Sequence, residues 1–266
     1  MPRLRRSQAD LQRAETAGPE FLEALARGLR VIQAFDRDHR QLSLSDVARL
    51  VDLPRASVRR TLHTLVQLGF AQCDGRQFRL TPRIMTLAGA YLMSNPVSTI
   101  LQPAVERLSS DIGEACSAAV LDGEDVVMIA HASPSRVLAL NAQIGFRVPA
   151  FASSLGRVLL AALENSELDE FLARIQPEQL TPLTLVDKKA LRRAILKARD
   201  EGFSLADQEA ELGFRSISVP LRRIDGRVIA SLNVGLHSER GPLNAMYDVF
   251  LPKLRALADE LQPQLI

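Results

Sequence analysis

The chain has 266 residues, 47% of them hydrophobic and 24% charged, with a formal net charge of +2 at pH 7, enough to bury one large core or, more naturally, a small and a medium one. No run of about 18 apolar residues occurs, and no hydrophobic segment follows the N-terminal arginines, so neither a membrane span nor a signal peptide is expected and a cytoplasmic location is implied. Cys73 and Cys116 have no CxxC or metal-type spacing, and no GxSxG, HExxH or phosphate-loop pattern is present, which argues against a disulfide framework, a metal site, a cofactor and an enzyme of those classes.

The small net charge hides an asymmetry. Residues 1–83 carry 15 Arg against 9 acidic residues, whereas residues 84–266 carry 18 Lys and Arg against 22. A small module for a polyanion joined to a larger module with other work is the arrangement this implies.

Residues 1–19 are polar, basic and without apolar periodicity, and read as a flexible arm. Phe21, Leu22, Leu25, Leu29, Ile32 and Phe35 then recur at helical spacing. In "LSLSDVARLVDLP", Ser43 or Ser45 caps a short second helix carrying Val47, Ala48 and Leu50. Pro54 can open a third helix because its missing N–H costs nothing in a first turn, so two helices meet at a tight corner with Asp52 where glycine is usual. In "PRASVRRTLHTLVQ", Val58, Leu62 and Leu65 form the inward stripe, leaving Ala56, Arg59, Arg60, His63, Thr64 and Gln67 outward. "FAQCDGRQFRLTP" then alternates about an Asp74-Gly75 turn, a β-hairpin with Arg76 and Gln77 beside its tip.

Helix, helix-turn-helix and hairpin make a winged helix-turn-helix over 20–82. An arginine-rich helix face is often just solvated, but a basic helix after a tight corner, beside a hairpin with arginine at its tip, points to double-stranded DNA. The candidate DNA contacts are Ser45, Pro54, Arg55, Ser57, Arg59, Arg60, His63, Arg76 and Gln77.

Ile84, Leu87 and Tyr91 share one face of a linker helix over 83–95. From 96 to 266 helices and strands mix. "STILQPAVERLSSDIG" is helical; "ACSAAVL", "VVMIAHA" and "RVLALNAQIG" are strands; helices follow at about 154–163 and 187–201. "FRSISVPLRR" and "RVIASLNVGLH" are strands flanking "IDGR", and a final helix runs from about Pro242 to Leu261. Antiparallel strands between helices give an α+β domain, a sheet covered on one side with its other face open for a pocket. Ser153 and Ser154 precede a helix whose N-terminus could receive a carboxylate, or act as ordinary caps. Arg136 or Arg147 could pair with an acid ligand, or lie at the surface.

A two-residue turn at Gly123-Glu124 sets Leu121 opposite Val126 and hence Cys116 opposite His131. A facing thiol and imidazole could be a nucleophile and base, the alternative small-molecule enzyme reading, yet no third group is evident and an inert buried thiol fits the apolar neighbours better.

"LARGLRVIQAF", "SLSDVARLVDLPRASVRRTLHTLVQLGF", "PAFASSLGRVLLA", "GFSLADQEAELGFRSISVPL" and "GRVIASLNVGLH", in this order, resemble the IclR-type bacterial transcription regulators over nearly the whole chain. Within them, "LHTLVQLGFAQCDGRQFRLTPRI" and "ELGFRSISVPL" look most like the subgroup controlling protocatechuate, 4-hydroxybenzoate and β-ketoadipate catabolism. The resemblance implies a C-terminal GAF-like effector-binding domain, a homodimer or dimer of dimers on a palindromic operator, a small organic acid effector and contact with RNA polymerase. It also nominates Val148, Ser154, Leu155, Asp207, Phe214, Ser216, Asn233 and Gly235 as pocket residues. Some relatives have an acidic pair where Ala206-Asp207 stands and serines where Asn233 and Gly235 stand. A regulator of another catabolic pathway is the alternative.

Overall fold

The computed structural model describes residues 18, 20–36, 38–94, 96–134 and 143–265, apart from the side chains of 92–96 and 98. The expected arm, the position of Arg136 and most of the strand expected over 136–145 lie outside the described residues. The chain divides into two compact units after Tyr91, within the stretch read as a linker helix.

In the first unit, α1 (Glu23–Gln33), α2 (Leu44–Val51) and α3 (Arg55–Gln67) pack around Val31, Val47, Val58 and Leu62, all fully buried. Ser43 is the cap of α2: its Oγ accepts from the Asp46 amide at 3.2 Å, and the Asp46 carboxylate accepts from the Ser43 amide at 3.3 Å. This reciprocal capping box satisfies donors that a helix start otherwise leaves bare. Asp52 turns the corner in the left-handed region, at φ 50° and ψ 54°, and Leu53 N–H donates to Ala48 O at 3.1 Å. Pro54 stands at the cap of α3, one position before the helix proper. The strands β1 (Leu42–Ser43), β2 (Ala71–Cys73) and β3 (Gln77–Leu80) form a small antiparallel sheet in the order β1-β3-β2. Asp74 closes the wing turn by accepting from the amides of Arg76 and Gln77. Helix α4 (Met85–Ser94) follows.

The second unit is built on a six-stranded antiparallel sheet. Its strands are β4 (Ala115–Asp122), β5 (Asp125–Ala132), β6 (Arg147–Pro149), β7 (Ser204–Asp207), β8 (Phe214–Arg222) and β9 (Val228–His237), ordered β6-β5-β4-β9-β8-β7. Ahead of it runs α5 (Pro96–Ile112); after β6 come α6 (Ser154–Leu160), α7 (Asn165–Arg174) and α8 (Lys188–Glu201), and α9 (Leu251–Leu261) follows β9. The α+β expectation holds. Helix α7 was not anticipated, although Leu168, Phe171 and Leu172 give it a buried stripe. Of the expected strand at 136–145, the described end forms a turn at Ile144-Gly145.

Both faces of the sheet are covered, correcting the expectation that one stays open. On one face, Leu101, Val105 and Leu108 of α5 and Leu254, Leu257 and Leu261 of α9 pack on Cys116, Ala118, Ile217 and Val234. On the other, Phe151, Leu155 and Leu159, backed by α7 and α8, pack on Ala119, Val126 and Met128.

The register of β4 on β5 starts as expected, with Leu121 opposite Val126, but shifts between Ala118 and Ala119. Ala119 pairs with Met128 and Ala118 with Ala130, so Ile129 is one extra residue in β5. Such a bulge reverses which face the following side chains meet. Cys116 therefore lies opposite Ala132, and His131 lies opposite Ser117.

The left-handed corner is testable. Most L-residues lose about 1–2 kcal/mol there through Cβ crowding, Asp less and Gly none. Asp52→Gly is expected to leave the first unit as stable or up to about 1 kcal/mol more so, and Asp52→Val to destabilise it by about 1–2 kcal/mol, read by urea denaturation. Equal stability of the two variants would contradict the conformation.

Candidate functional site

Two regions gather the candidate residues, one in each unit. In the first, Val58, Leu62 and Leu65 are buried, so the opposite face of α3 carries Ala56, Arg59, Arg60, His63, Thr64 and Gln67 in solvent. Ser45, Pro54, Arg55, Arg76 and Gln77 are exposed too, and Ser57 is half-buried. The first turn of α3 contains no acidic residue and no side chain caps its start. Three other arginines of this unit are neutralised locally: Arg27 and Arg30 by Glu23, Arg49 by Asp46. Arg55, Arg59, Arg60 and Arg76 have no carboxylate within 4.0 Å among the described residues. An exposed face of unpaired guanidinium groups at a helix start is suited to polyanion phosphates.

In the second unit a cavity sits on the sheet face covered by α6. Its lining includes Val148, Leu155, Phe214, Ser216, Asn233 and Gly235, six of the ten residues nominated from the sequence. Ser117, Met128, His131, Ser153 and Glu209 join them. The floor follows from the register. Ala115, Gly235, Ser216 and Ala206 are successive partners across β4, β9, β8 and β7, making one row of small side chains. The next row, His131, Ser117 and Asn233 across β5, β4 and β9, is polar. Gly235 has no room for a side chain, because a Cβ there would stand 2.4 Å from the Phe214 ring. The ring lies over the glycine and closes that end.

Ser117 and Asn233 of the polar row are buried and His131 is half-buried, and the hydrogen bonding of the row is incomplete. Ser117 Oγ and His131 Nδ1 are 2.9 Å apart, while Gln102 of α5 holds both the amide and the carbonyl of His131 at 3.0 Å. Burial pushes the His131 imidazole below its ordinary value of 6.5, favouring the neutral ring. Asn233 is 5% exposed and its Oδ1 has no hydrogen-bond partner.

Four nominated residues are placed otherwise. Arg147 lies outside the cavity, donating to Asp125 at 3.1 Å and to Asp122 at 2.6 Å. Asp207 is held by Arg215 Nε at 3.0 Å and does not line the cavity. Ser154 is fully buried behind it, 2.7 Å from both Ser216 Oγ and Ser218 Oγ. Arg136 lies outside the described residues. The helix start at Ser153 is an ordinary cap, its Oγ accepting from the Gly156 amide at 3.0 Å. Arg157 and Glu209 were not foreseen. Arg157 is 4% exposed; its Nε donates to Phe151 O at 3.0 Å, and its two terminal nitrogens bind both oxygens of Glu209, Nη1 at 2.6 Å. Such a bidentate pair is among the stronger polar contacts available to a protein.

The thiol and imidazole of the enzyme alternative are on opposite faces. Cys116 is wholly buried, and burial pushes its thiol up to about 12, so it stays protonated and inert. Among the described residues no group of three or more His, Cys, Asp or Glu could hold a metal, and no helix is long and apolar enough to cross a membrane.

Comparison with known proteins accounts for both regions. Residues 24–75 match the IclR helix-turn-helix domain, and residues 89–262 match the C-terminal domain of the IclR bacterial transcriptional regulators. The Pca regulon regulatory protein of Pseudomonas putida is 41% identical over 260 residues, spanning 97% of this chain and 89% of the relative. The p-hydroxybenzoate hydroxylase transcriptional activator of Acinetobacter baylyi is 31% identical over 248 residues, 91% of this chain and 92% of the relative. A solved IclR homologue from Microbacterium hydrocarbonoxydans, complexed with 4-hydroxybenzoate, superposes with a TM-score of 0.78 at 27% identity, covering 91% and 99% of the two chains. Two such domains in this order define a DNA-binding transcription regulator rather than an enzyme. The chain belongs to the IclR family.

The buried imidazole sets a pH dependence with a definite sign. In the folded chain His131 resists protonation, whereas in the unfolded chain it protonates below about 6.5. Unfolding therefore takes up a proton in that range, and the contribution of this residue is whole above pH 6.5 and declines as pH falls below it. His131→Gln should remove that decline, so the stability gap between wild type and variant narrows from pH 8 to pH 5.5 in urea denaturation. Parallel profiles would contradict a neutral buried ring.

Proposed function

We propose that this regulator controls genes of aromatic-acid catabolism, binding a two-fold symmetric operator through α3 and the wing and sensing a small carboxylic acid in the cavity of its second unit. The observation that carries the reading is that cavity, enclosed on a fully covered sheet and floored by one polar row. What it binds is argued from the relatives, whose names refer to the Pca regulon and to p-hydroxybenzoate hydroxylase, and from the homologue solved with 4-hydroxybenzoate. Protocatechuate, 4-hydroxybenzoate and β-ketoadipate are the ligands to try first.

The DNA contacts proposed are Arg55, Ser57, Arg59, Arg60 and His63 on α3, Ser45 and Pro54 beside the corner, and Arg76 and Gln77 on the wing. The cavity contacts proposed are Val148, Leu155, Phe214, Ser216, Asn233 and Gly235. A homodimer, or a pair of dimers, suits a palindromic operator. Leu22 at the cap of α1, Leu25 and Leu29 on α1 and Met85 and Leu87 on α4 are large exposed apolar side chains in the DNA-binding unit that a second copy would cover. RNA polymerase is the further partner of such a regulator, and the cytoplasm its location.

Two measurements test the reading. Arg59→Ala or Arg60→Ala is expected to weaken operator binding by about 1–3 kcal/mol while changing stability by less than about 0.5 kcal/mol. Loss of fold instead would mean that this helix face points inward. In a thermal-shift screen of aromatic acids and their ring-cleavage diacids, a ligand at about 100 times its Kd should stabilise the protein by about 2.7 kcal/mol. Silence across the panel, with operator binding intact, would remove the aromatic-acid assignment and leave the DNA half standing.

A further inference from the structure

The cavity presents a charge problem. Its lining contains two titratable side chains among the described residues, His131 and Glu209. Glu209 is already an anion held by Arg157, and all three guanidinium nitrogens of Arg157 are engaged, by Glu209 and by Phe151 O. Arg147 of β6 and Arg215 of β8 are held by Asp122 and Asp125 and by Asp207. A carboxylate entering this space finds no uncommitted permanent cation among the described residues, and a buried unpaired carboxylate is strongly unfavourable.

We infer that His131 supplies the missing charge: it takes up a proton from solvent when a carboxylate effector binds, and the resulting imidazolium receives the acid. The inference rests on the proposed effector reading of the cavity. Three independent features of geometry support it. The extra residue Ile129 turns His131 onto the cavity face; in unbroken register it would face Cys116 in the opposite core. Ser117 Oγ sits at Nδ1 and can accept from it, which leaves Nε2 as the second donor of the protonated ring. Asn233, two strands along the same row, is buried with an unsatisfied amide oxygen that calls for a donor such as a ligand hydroxyl, so this part of the wall is suited to a polar group of the ligand other than its carboxylate.

The charged groups around His131 do not make the proton permanent. From α5, Gln102 holds the His131 backbone and also reaches Glu106 at 2.7 Å, on the exposed side of that helix. Glu114, at the approach to β4, is held by Arg240 at 2.9 Å. From β4 and β9 come the neutral Ser117 and Asn233, and across the cavity the Glu209–Arg157 pair cancels itself. Burial then keeps the ring neutral until an anion arrives.

The test is calorimetric titration of the full chain with 4-hydroxybenzoate and with β-ketoadipate near pH 7, in phosphate and in Tris, whose ionisation enthalpies differ. For an acid that binds, uptake approaching one proton per site is expected. Its affinity should rise by up to about tenfold for each unit that pH falls between 8 and 6, because the bound state holds the extra proton. His131→Gln should abolish the uptake, flatten the pH profile and weaken binding roughly 10- to 100-fold, the equivalent of a bound-state shift of about one to two pKa units. Binding without proton uptake would overturn the inference and leave the effector reading intact, as would uptake that persists in His131→Gln. The wild-type proton count and pH profile are decisive even if the variant fails to fold. Binding of neither acid would overturn both.

Discussion

A sheet buried on both faces permits each strand very little freedom, because successive side chains must alternate between two cores and a slip of one residue exchanges them. In the second unit this constraint is met from Ser216 to Leu221 of β8 and from Leu232 to Leu236 of β9 by regular alternation: Ile217, Val219 and Leu221, with Leu232, Val234 and Leu236, face α5 and α9, while Ser216, Ser218 and Asn233 face α6. In β5 it is met by breaking the alternation once. Ile129 and Ala130 both pack into the first core, and every residue after them changes sides. The position of His131 is a consequence of that single insertion.

The same rule explains why polar groups sit where packing would favour apolar ones. His131, Ser117, Asn233, Ser218 and Ser204 are partners in turn across five neighbouring strands, so one polar row crosses the sheet beneath α6. At the β7–β8 end the row is satisfied internally, Ser218 donating to Ser154 of α6 at 2.7 Å. Further along the row, Asn233 is left with an orphan oxygen in the cavity wall. A buried unsatisfied acceptor costs about 1–3 kcal/mol, a deficit that a bound ligand can relieve and an apolar side chain would avoid. Binding sites are where such local deficits are tolerated.

The first unit was legible from sequence because its signals are local. The α3 stripe, Ser43 at the cap of α2, Pro54 before a helix and Asp74-Gly75 in a hairpin each act within a few residues, and the structure has each in place; the stripe expected on the first helix is the exception, since Leu22, Leu25 and Leu29 are exposed and Val31 is its fully buried residue. Even the departure from glycine at Asp52 could be reasoned through, since Asp accepts the left-handed conformation. The cavity was legible where the family resemblance placed it, at Val148, Leu155, Phe214, Ser216, Asn233 and Gly235. It was not legible where the answer depended on long-range pairing. No local feature of "DVVMIAHA" announces a bulge at Ile129, so counting back from a correctly placed turn put His131 on the wrong face. Arg157 and Glu209 are 52 residues apart, and no spacing rule joins them. Arg147, nominated by its charge, and Asp207, nominated by the resemblance, each have a nearer partner in the fold.

Electrostatics then separates the two units by strategy. In the second unit four arginines around the sheet are neutralised by carboxylates: Arg147 by two aspartates, Arg157 by Glu209, Arg215 by Asp207 and Arg240 by Glu114. In the first, Arg27, Arg30 and Arg49 are paired while Arg55, Arg59 and Arg60 on the exposed face of α3 are not. An exposed arginine loses little by standing unpaired in water and gains when it displaces counterions from a phosphate backbone. A buried one has no such latitude, because an uncompensated charge in a dry interior is unfavourable by several kcal/mol. Permanent positive charge can therefore be kept ready at the surface for a polyanion, but not inside an enclosed cavity for a small acid. On the inference drawn above, the counter-charge there is one that appears with the ligand, and among the described cavity residues the neutral imidazole is the group with that property.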